Sequence, residues 1–557
     1  VLRRLDAVLV GTKAEVLATK AQLDSAGIEN QDLALRTAAG QAFYNTSPFT
    51  MQDLRTRTAR QTLRVDFEAW LDGFSPNVQE IIEGFEFRNQ LPRLSSADAI
   101  GALIEKFLDP RINLSPEPVL NGDGSVKLDG VDNHAMGTVF EELVRRFNAE
   151  NNEEAGEHWT PRDAVKLMAR LIFEPVADSI ESGSYMLYDG ACGTGGMLTV
   201  AEETLRDVAA ARGKEITTHL FGQEINAETY AIAKADFLLK GEGEAADNLR
   251  GGPEYSTLSN DAFRHLEFDF MLSNPPYGKS WKNDAERMGG KSGIRDPRFV
   301  REFAGEPEFN LITRSSDGQM MFLANLMAKM KNATKLGSRI AEVHNGSSLF
   351  TGDAGQGESN IRRYVIENDW LEAIVALPLN LFYNTGIATY VWVLTNRKPA
   401  HRKGKVQLID ATQCFAPLRK NLGKKNCELS QADVDHIVNT FIKFEENEQS
   451  KIFDNRDFGY WKVTVERPLR VTGAQGDRVY SAKEIKAFRE DGSVSPNGVP
   501  LIRKNGGYEP DPDLRDTEQV PLNEPGGIEA FIEREVLPHA PDAWVDETKT
   551  QIGYEIS

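Results

Sequence analysis

From about residue 136 onward, short apolar runs alternate with helical patterns. The runs are YMLYD (185–189), HLFGQEI (219–225), FDFMLSN (268–274), SRIAEVH (338–344), LEAIVALP (371–378) and ATYVWVLTN (388–396). Strands that alternate with helices argue for an α/β fold with a largely parallel sheet. Only a loop separates the last two runs, which predicts an antiparallel hairpin at one edge of that sheet. KVQLIDAT (405–412) is one further candidate strand.

The flanks read differently. Apolar residues recur at helical spacing in LRRLDAVLV, VQEIIEGFEF and AIGALIEKFL, so residues 1–130 are expected to form a mostly helical domain that ends in the turn-rich LNGDGSVKLDG. The sheet pattern predicts an α/β domain over 131–415. Residues 416–557 read as an extension of mixed helix and loop, with a helix capped by Ser430 and a Gly-, Pro- and Asp-rich stretch over 490–527. The 557 residues allow two to four domains, and no internal repeat is evident. The chain begins at Val1 inside a helical pattern and ends at GYEIS, and segments beyond both ends are expected to be missing.

The first candidate site is YDGACGTGGML (188–198). Asp189 closes a strand. Gly190, Gly193, Gly195 and Gly196 then turn the chain into a helix whose first N–H groups are free for a ligand. Such a turn at the carboxyl edge of an α/β sheet suits a nucleotide-like cofactor. The spacing is not that of a dinucleotide fingerprint, and an acid leads it. An acid there repels phosphate but holds an ammonium, which S-adenosylmethionine (AdoMet) carries. Glu224 ends the next strand, 35 residues after Asp189, where it can accept ribose hydroxyls. Read alone, the cluster is also compatible with a Gly-rich turn carrying a surface acid.

The second candidate is SNPPY, at the end of a later strand. Pro275 and Pro276 have fixed φ and no N–H, so the corner is stiff and rich in acceptors. The Asn274 side-chain oxygen and a neighbouring carbonyl could hold the two hydrogens of an arylamine and stabilise the charge that develops as its nitrogen attacks a methyl group. Tyr277 could stack on the same base, which is worth roughly 1–3 kcal/mol and offsets part of the cost of flipping it out. The alternative is a rigid strand cap.

Other features are read as structural. Met320, Met321, Met327 and Met330 lie at helical spacing and are expected in the core. Cys192 is expected to be a small packed residue, His344 structural and HRKGK (401–405) a solvated turn. Residues 278–300 carry Lys279, Lys282, Arg287, Lys291, Arg295 and Arg298 against three acids, compatible with either a phosphate-contacting or a solvated loop. Three cysteines without a CxxC pair and eight scattered histidines argue against a disulfide framework or metal site and fit a reducing cytoplasm. No run is apolar enough to span a membrane and no signal peptide is visible. The net charge of −20 would repel nucleic acid over most of the surface, so work on DNA needs a local basic face or a partner.

Together, DGACGTGG and NPPY resemble an AdoMet-dependent amino-methyltransferase of the adenine-N6 type. Further segments, among them MGTVFEELVRRFN, GEHWTPRDAVKLM, GQEINAETYAIAKADFLLKG, HNGSSLFTGDAGQGESNIRRYVIENDWLEAIVALP and LFYNTGIATYVWVLTNRK, are similar to the modification (M) subunit of type I restriction–modification systems, and the likeness runs over the whole chain. The resemblance implies a Rossmann-like methyltransferase sheet and transfer of a methyl group to adenine N6 in DNA, a site-specific adenine DNA-methyltransferase. It implies a bacterial or archaeal cytoplasm, pairing of two M subunits with one specificity (S) subunit that reads the DNA, and a restriction subunit in the full complex. It also implies residue roles. His158, Trp159, Thr160 and Pro161 would hold the methionine end of AdoMet, with Asp189, Gly190, Gly193, Thr194 and Gly195 lining the same pocket. Glu224 would take the ribose, and Ile225, Asp261 and Phe263 the adenine. Asn274, Pro275, Pro276 and Tyr277 would hold the target base, with Phe382 as its second wall. One departure is Gly190, where the family usually has proline; this would loosen the turn. Other NPPY enzymes methylate a protein glutamine or RNA, and a non-catalytic assembly subunit is a further alternative.

Overall fold

A computed structural model describes residues 1–57, 60–150, 159–290, 292–383 and 385–556. Its centre is a nine-stranded sheet. In chain order the strands are β1 (Gly183–Asp189), β2 (Ile216–Glu224), β3 (Leu249–Gly251), β4 (Phe270–Ser273), β5 (Arg339–Asn345), β6 (Leu371–Ala376), β7 (Thr389–Thr395) and β8 (Lys405–Asp410). A two-stranded hairpin, β9 (Ala416–Leu422) and β10 (Lys425–Glu428), precedes the ninth, β11 (Ser450–Asp454). The spatial order is β11-β8-β6-β7-β5-β4-β1-β2-β3. Neighbours are parallel except where β7 and β11 enter, each antiparallel to its partners.

Alternate residues explain why both faces are covered. In β4, Phe270 and Leu272 join the core that holds Leu167, Leu171 and Leu198, while Met271 joins a second core with Met320, Leu323 and Ile361. The helices α3 (Arg162–Phe173), α4 (Gly196–Ala210) and α8 (Gln431–Lys443) supply the first core, and α6 (Gln319–Ala328) and α7 (Gly357–Glu367) the second. The four methionines are buried as expected.

The expected hairpin exists but is not the sheet edge. β7 inserts between β6 and β5, and β8 and β11 lie outside β6. The sheet also runs past residue 415, because β11 adds to β8 and α8 packs against it. The tail holds the helix capped by Ser430 and further helices and loops, with strands beside them. Gly459–Glu466 (β12) pairs with Asp516–Pro521 (β13) and Trp544–Tyr554 (β14) in a second sheet. In β13 only Val520 is buried, so its sequence carries no apolar signal. HRKGK is not simply solvated either. Arg402 is buried, stacked between the rings of Phe441 and Phe444, and donates to the Phe441 carbonyl.

Among the described residues the front of the chain is a series of helices between Leu2 and Phe107, and it closes with a small hairpin over Val119–Leu128. Its helix α1 (Pro76–Gly84) packs on α5 (Ala227–Lys240) of the sheet domain. Gly84 permits that approach, since a Cβ there would lie 2.6 Å from the Ala231 methyl. Lys234 on α5 pairs with Glu80 on α1 and is itself almost fully buried.

Inside the sheet, Arg339 on β5 pairs with Glu372 on β6, both 1% exposed. Removing one partner leaves a buried charge uncompensated. Glu372→Ala is therefore expected to lower the unfolding free energy by about 3–5 kcal/mol, measured by urea denaturation. The double change Arg339→Met/Glu372→Leu should recover most of the loss. Equal stability of Glu372→Ala and the parent would contradict this.

Candidate active site

A cavity of about 430 Å³ opens at the carboxyl ends of β1, β2 and β4. Its floor is the turn from β1 into α4. Gly193 and Gly195 there have φ of +54° and +80°, which favours glycine. A Cβ on Gly195 would also meet the Phe237 ring at 2.9 Å. Asp189 is buried at the end of β1. Its Oδ1 accepts the Ala191 N–H at 2.9 Å and the Ser273 hydroxyl at 2.8 Å. Burial pushes its carboxyl up to about 7, and the acids Glu224 and Glu342 add to the shift. No cation counters it among these main causes.

Glu224 ends β2 with both oxygens oriented by the backbone. Oε2 accepts from Gly193 at 3.0 Å and Oε1 from Asn226 at 2.8 Å. Asn226 in turn caps α5. Gln223, next to it, donates to the Tyr255 and Asn260 carbonyls at 3.0 and 2.8 Å and so shapes the adjoining loop. Thr257 from that loop hydrogen-bonds the Gly190 carbonyl. The expected loosening at Gly190 is not what the structure has. A Cβ there would sit 3.0 Å from the Tyr188 hydroxyl and 3.2 Å from both Asn325 and Thr257, so the turn is tightly enclosed.

The NPPY corner follows β4. Asn274 Nδ2 donates to Thr160 Oγ1 at 3.0 Å. Its Oδ1 is buried and has no hydrogen-bond partner among the described residues. A buried acceptor without a partner costs about 1–3 kcal/mol, so the carboxamide is held ready for a donor that the described residues do not supply. Pro275 is buried and Pro276 lies on the cavity wall. The Tyr277 hydroxyl is also buried without a partner, and desolvation pushes it up to about 12.

The structure brings most of the expected residues together. Trp159, Thr160, Asp189, Gly190, Gly193, Thr194, Glu224, Ile225, Asn274 and Pro276 line the cavity. His158 lies outside the described residues. Pro161 begins α3, and Gly195 and Pro275 sit behind the wall. Tyr277 packs against the core cluster to which the buried Phe382 also belongs, and neither is on the wall. Asp261 and Phe263 do not reach it. The Asp261 carboxylate is paired with buried Lys329 at 2.6 Å, and Phe263 packs among Tyr188, Phe221 and Phe268.

Further wall residues come from elements the motifs do not mark. Phe140 and Val144 reach in from α2 (Asn133–Glu150), and Trp281 and Phe322 close the far side. The i,i+4 spacing of Phe140 and Val144 was the legible trace of the first pair. In the basic loop, Arg298 is buried and bonds the Thr257 and Leu258 carbonyls and Asn325, a structural role. Lys279 lines the cavity, and Lys291 lies outside the described residues. Cys192 is buried in the turn, its thiol pushed up by desolvation, and His344 is buried on the interior strand β5. Among the described residues no group of three or more His, Cys, Asp and Glu is placed to hold a metal, and no helix is long and apolar enough to cross a membrane.

Comparison with known proteins agrees with this geometry. The N-6 DNA Methylase family profile matches residues 131–460. The methylase subunits of two type I restriction enzymes of Methanocaldococcus jannaschii, MjaIX and MjaVII, are 26% and 30% identical to the chain over 70% and 65% of its length. The matches span 63% and 57% of those relatives' own length. The crystal structure of the type I restriction-modification system methyltransferase subunit from Streptococcus thermophilus superimposes with a TM-score of 0.58 at 20% identity, over 82% of this chain and 90% of that one, and shows the same fold. With the cofactor-type turn, the NPPY corner and a profile match that covers more than half its length, the chain belongs to the N-6 DNA methylase family.

Proposed function

We propose that this chain transfers a methyl group from AdoMet to the N6 amino group of adenine in DNA, as the modification subunit of a type I restriction–modification complex. The observation that carries the reading is the Asn274 carboxamide, fixed by Thr160, with an unpartnered Oδ1 at the cavity that holds Asp189 and Glu224. The residues fit the cofactor, because a buried carboxylate with no cation among the main influences on its ionisation calls for a cationic ligand. Bound AdoMet would supply an electrophilic methyl group on a sulfonium.

The chain's own residues do the rest. Asp189 holds the ammonium of the methionine end. Glu224 takes the ribose, with Ile225 beside the adenine. Asn274 Oδ1 and the Pro275 carbonyl accept the two N6 hydrogens of a flipped adenine, which localises the lone pair on nitrogen and stabilises its positive charge as the bond to carbon forms. Forming that bond would break the carbon–sulfur bond of the sulfonium, whose electron pair leaves with a neutral thioether, and the nitrogen then gives one of those protons to solvent. Tyr277 and Phe382 remain candidates for the base pocket, and Asp261 and Phe263 for shaping its cofactor end. DNA, an S subunit bound by two M subunits, and a restriction subunit are the proposed partners, in a bacterial or archaeal cytoplasm.

Thr160 is then a positioning residue. Thr160→Val should lower kcat roughly tenfold, about one hydrogen bond's worth, leave AdoMet affinity unchanged, and be rescued by Thr160→Ser. A loss of cofactor affinity instead would mean that Thr160 acts on AdoMet.

The reading is tested by transfer of labelled methyl from AdoMet to duplex DNA, with and without a cognate S subunit, read out as N6-methyladenine. Label on adenine supports it. Label on RNA or on a protein glutamine, or none on adenine with AdoMet bound and the S subunit present, would overturn it.

A further inference from the structure

The hairpin β9–β10 is a short basic segment of the sheet domain. Residues 416–428 carry Arg419, Lys420, Lys424 and Lys425 against the single acid Glu428, in a chain of net charge −20. Lys425 is buried, and pairs with Asp163 at 3.0 Å. Arg419, Lys420 and Lys424 are exposed, and none pairs with a carboxylate among the described residues.

The ribbon is fastened to the catalytic edge at two places. It is hydrogen-bonded to the loop after β6: Lys424 N–H donates to the Tyr383 carbonyl at 2.9 Å, Asn426 N–H to Asn380 at 3.1 Å and Lys425 Nζ to Leu381 at 3.0 Å. β6 runs parallel to β4, so that loop leaves the same end of the sheet as the NPPY corner. The second fastening is Asp163, which accepts from both Lys425 and the Leu429 N–H. Asp163 lies three residues after Thr160, which holds Asn274. The ribbon is thus linked to the base-holding corner through a short series of half-buried contacts.

We propose that this hairpin is a duplex-DNA contact, in which Arg419, Lys420 and Lys424 grip backbone phosphates next to the adenine that is flipped. The inference rests on the proposed function. Charge complementarity selects the occupant: a polyanion is the one partner that rewards three exposed cations through counterion release. The contact also answers how an acidic chain approaches DNA at its own active site, since it supplies a local basic face where the base must leave the helix.

The test compares the triple variant Arg419→Gln/Lys420→Gln/Lys424→Gln with a control of the same charge change, Lys127→Gln/Lys166→Gln/Lys483→Gln, in the assembly that gives methyl transfer. Affinity for a duplex oligonucleotide is measured over a salt series, together with transfer kinetics and AdoMet affinity. The hairpin variant should lose about 0.9 from the log–log salt slope per lost contact, about 2.7 for three. Its KM for DNA should rise while kcat and AdoMet affinity hold, and the control should match the wild type. An unchanged slope, an equal loss in the control, or loss of assembly with the S subunit at unchanged DNA affinity would overturn the proposal. A wild type that binds duplex through the hairpin but never methylates adenine would sink the methylation reading alone.

Discussion

Asn274→Ala is expected to lower methyl transfer by at least roughly 10²–10³-fold, the usual cost of deleting one preorganised group that faces developing charge, while AdoMet binding stays as in the wild type. The separation follows from the structure. The side chain lies on β4's exit and is tied to Thr160, and the two acids that would hold the cofactor are fixed by other groups. Deleting it also removes a buried acceptor that has no partner, so the variant should be no less stable than the parent. Single-turnover transfer and calorimetric AdoMet titration check both halves. Retained turnover would remove Asn274 from the mechanism, and a parallel loss of cofactor affinity would place it in the cofactor site instead.

The second large effect is a pH dependence set by Asp189. Its carboxyl lies at about 7 in the folded, ligand-free chain against an ordinary 3.8. The sign is the reverse of a salt-bridged acid. Below pH 3.8 the group is protonated in both states and has no effect. Between about pH 4 and 7 the unfolded chain has released a proton that the folded chain keeps, so stability falls with rising pH, by about 4 kcal/mol in total. Above 7 the loss is constant. An ammonium needs the ionised form, so AdoMet affinity should weaken about tenfold per pH unit below 7, level off above it, and release one proton on binding in the weak range. Asp189→Asn should flatten the stability profile and weaken AdoMet binding about 30-fold or more, as loss of one partner of a buried charge pair does. A flat affinity profile in the wild type would show that Asp189 does not carry the ammonium.

These effects rest on residues that were legible before any coordinates. Asp189, Gly193, Gly195, Glu224 and the Asn274 corner are local features. Each needs only a strand end followed by a turn, and the residue types themselves impose the turn: glycine where φ is positive, proline where the chain must be stiff. The alternation of apolar runs with helical patterns likewise marked a largely parallel α/β sheet, because strands joined through helices pair in parallel.

What the tertiary structure alone decided is where distant segments meet. Strand order is not a local property, so nothing in ATYVWVLTN marks it as interior rather than edge; it is interior because β8 and β11 add outside β6. Short strands such as β3 and the polar β13 carry too few buried residues to announce themselves. Asp261 reads as a cofactor contact in sequence, yet Lys329, 68 residues away, takes its carboxylate. The hydrogen bond from Asn274 to Thr160 spans 114 residues, and the contact from Lys425 to Asp163 spans 262. A sequence lists the groups that can do chemistry, because chemistry belongs to side chains. Which of those groups are spent on one another, and which are left facing a cavity, depends on long-range packing that no short window contains.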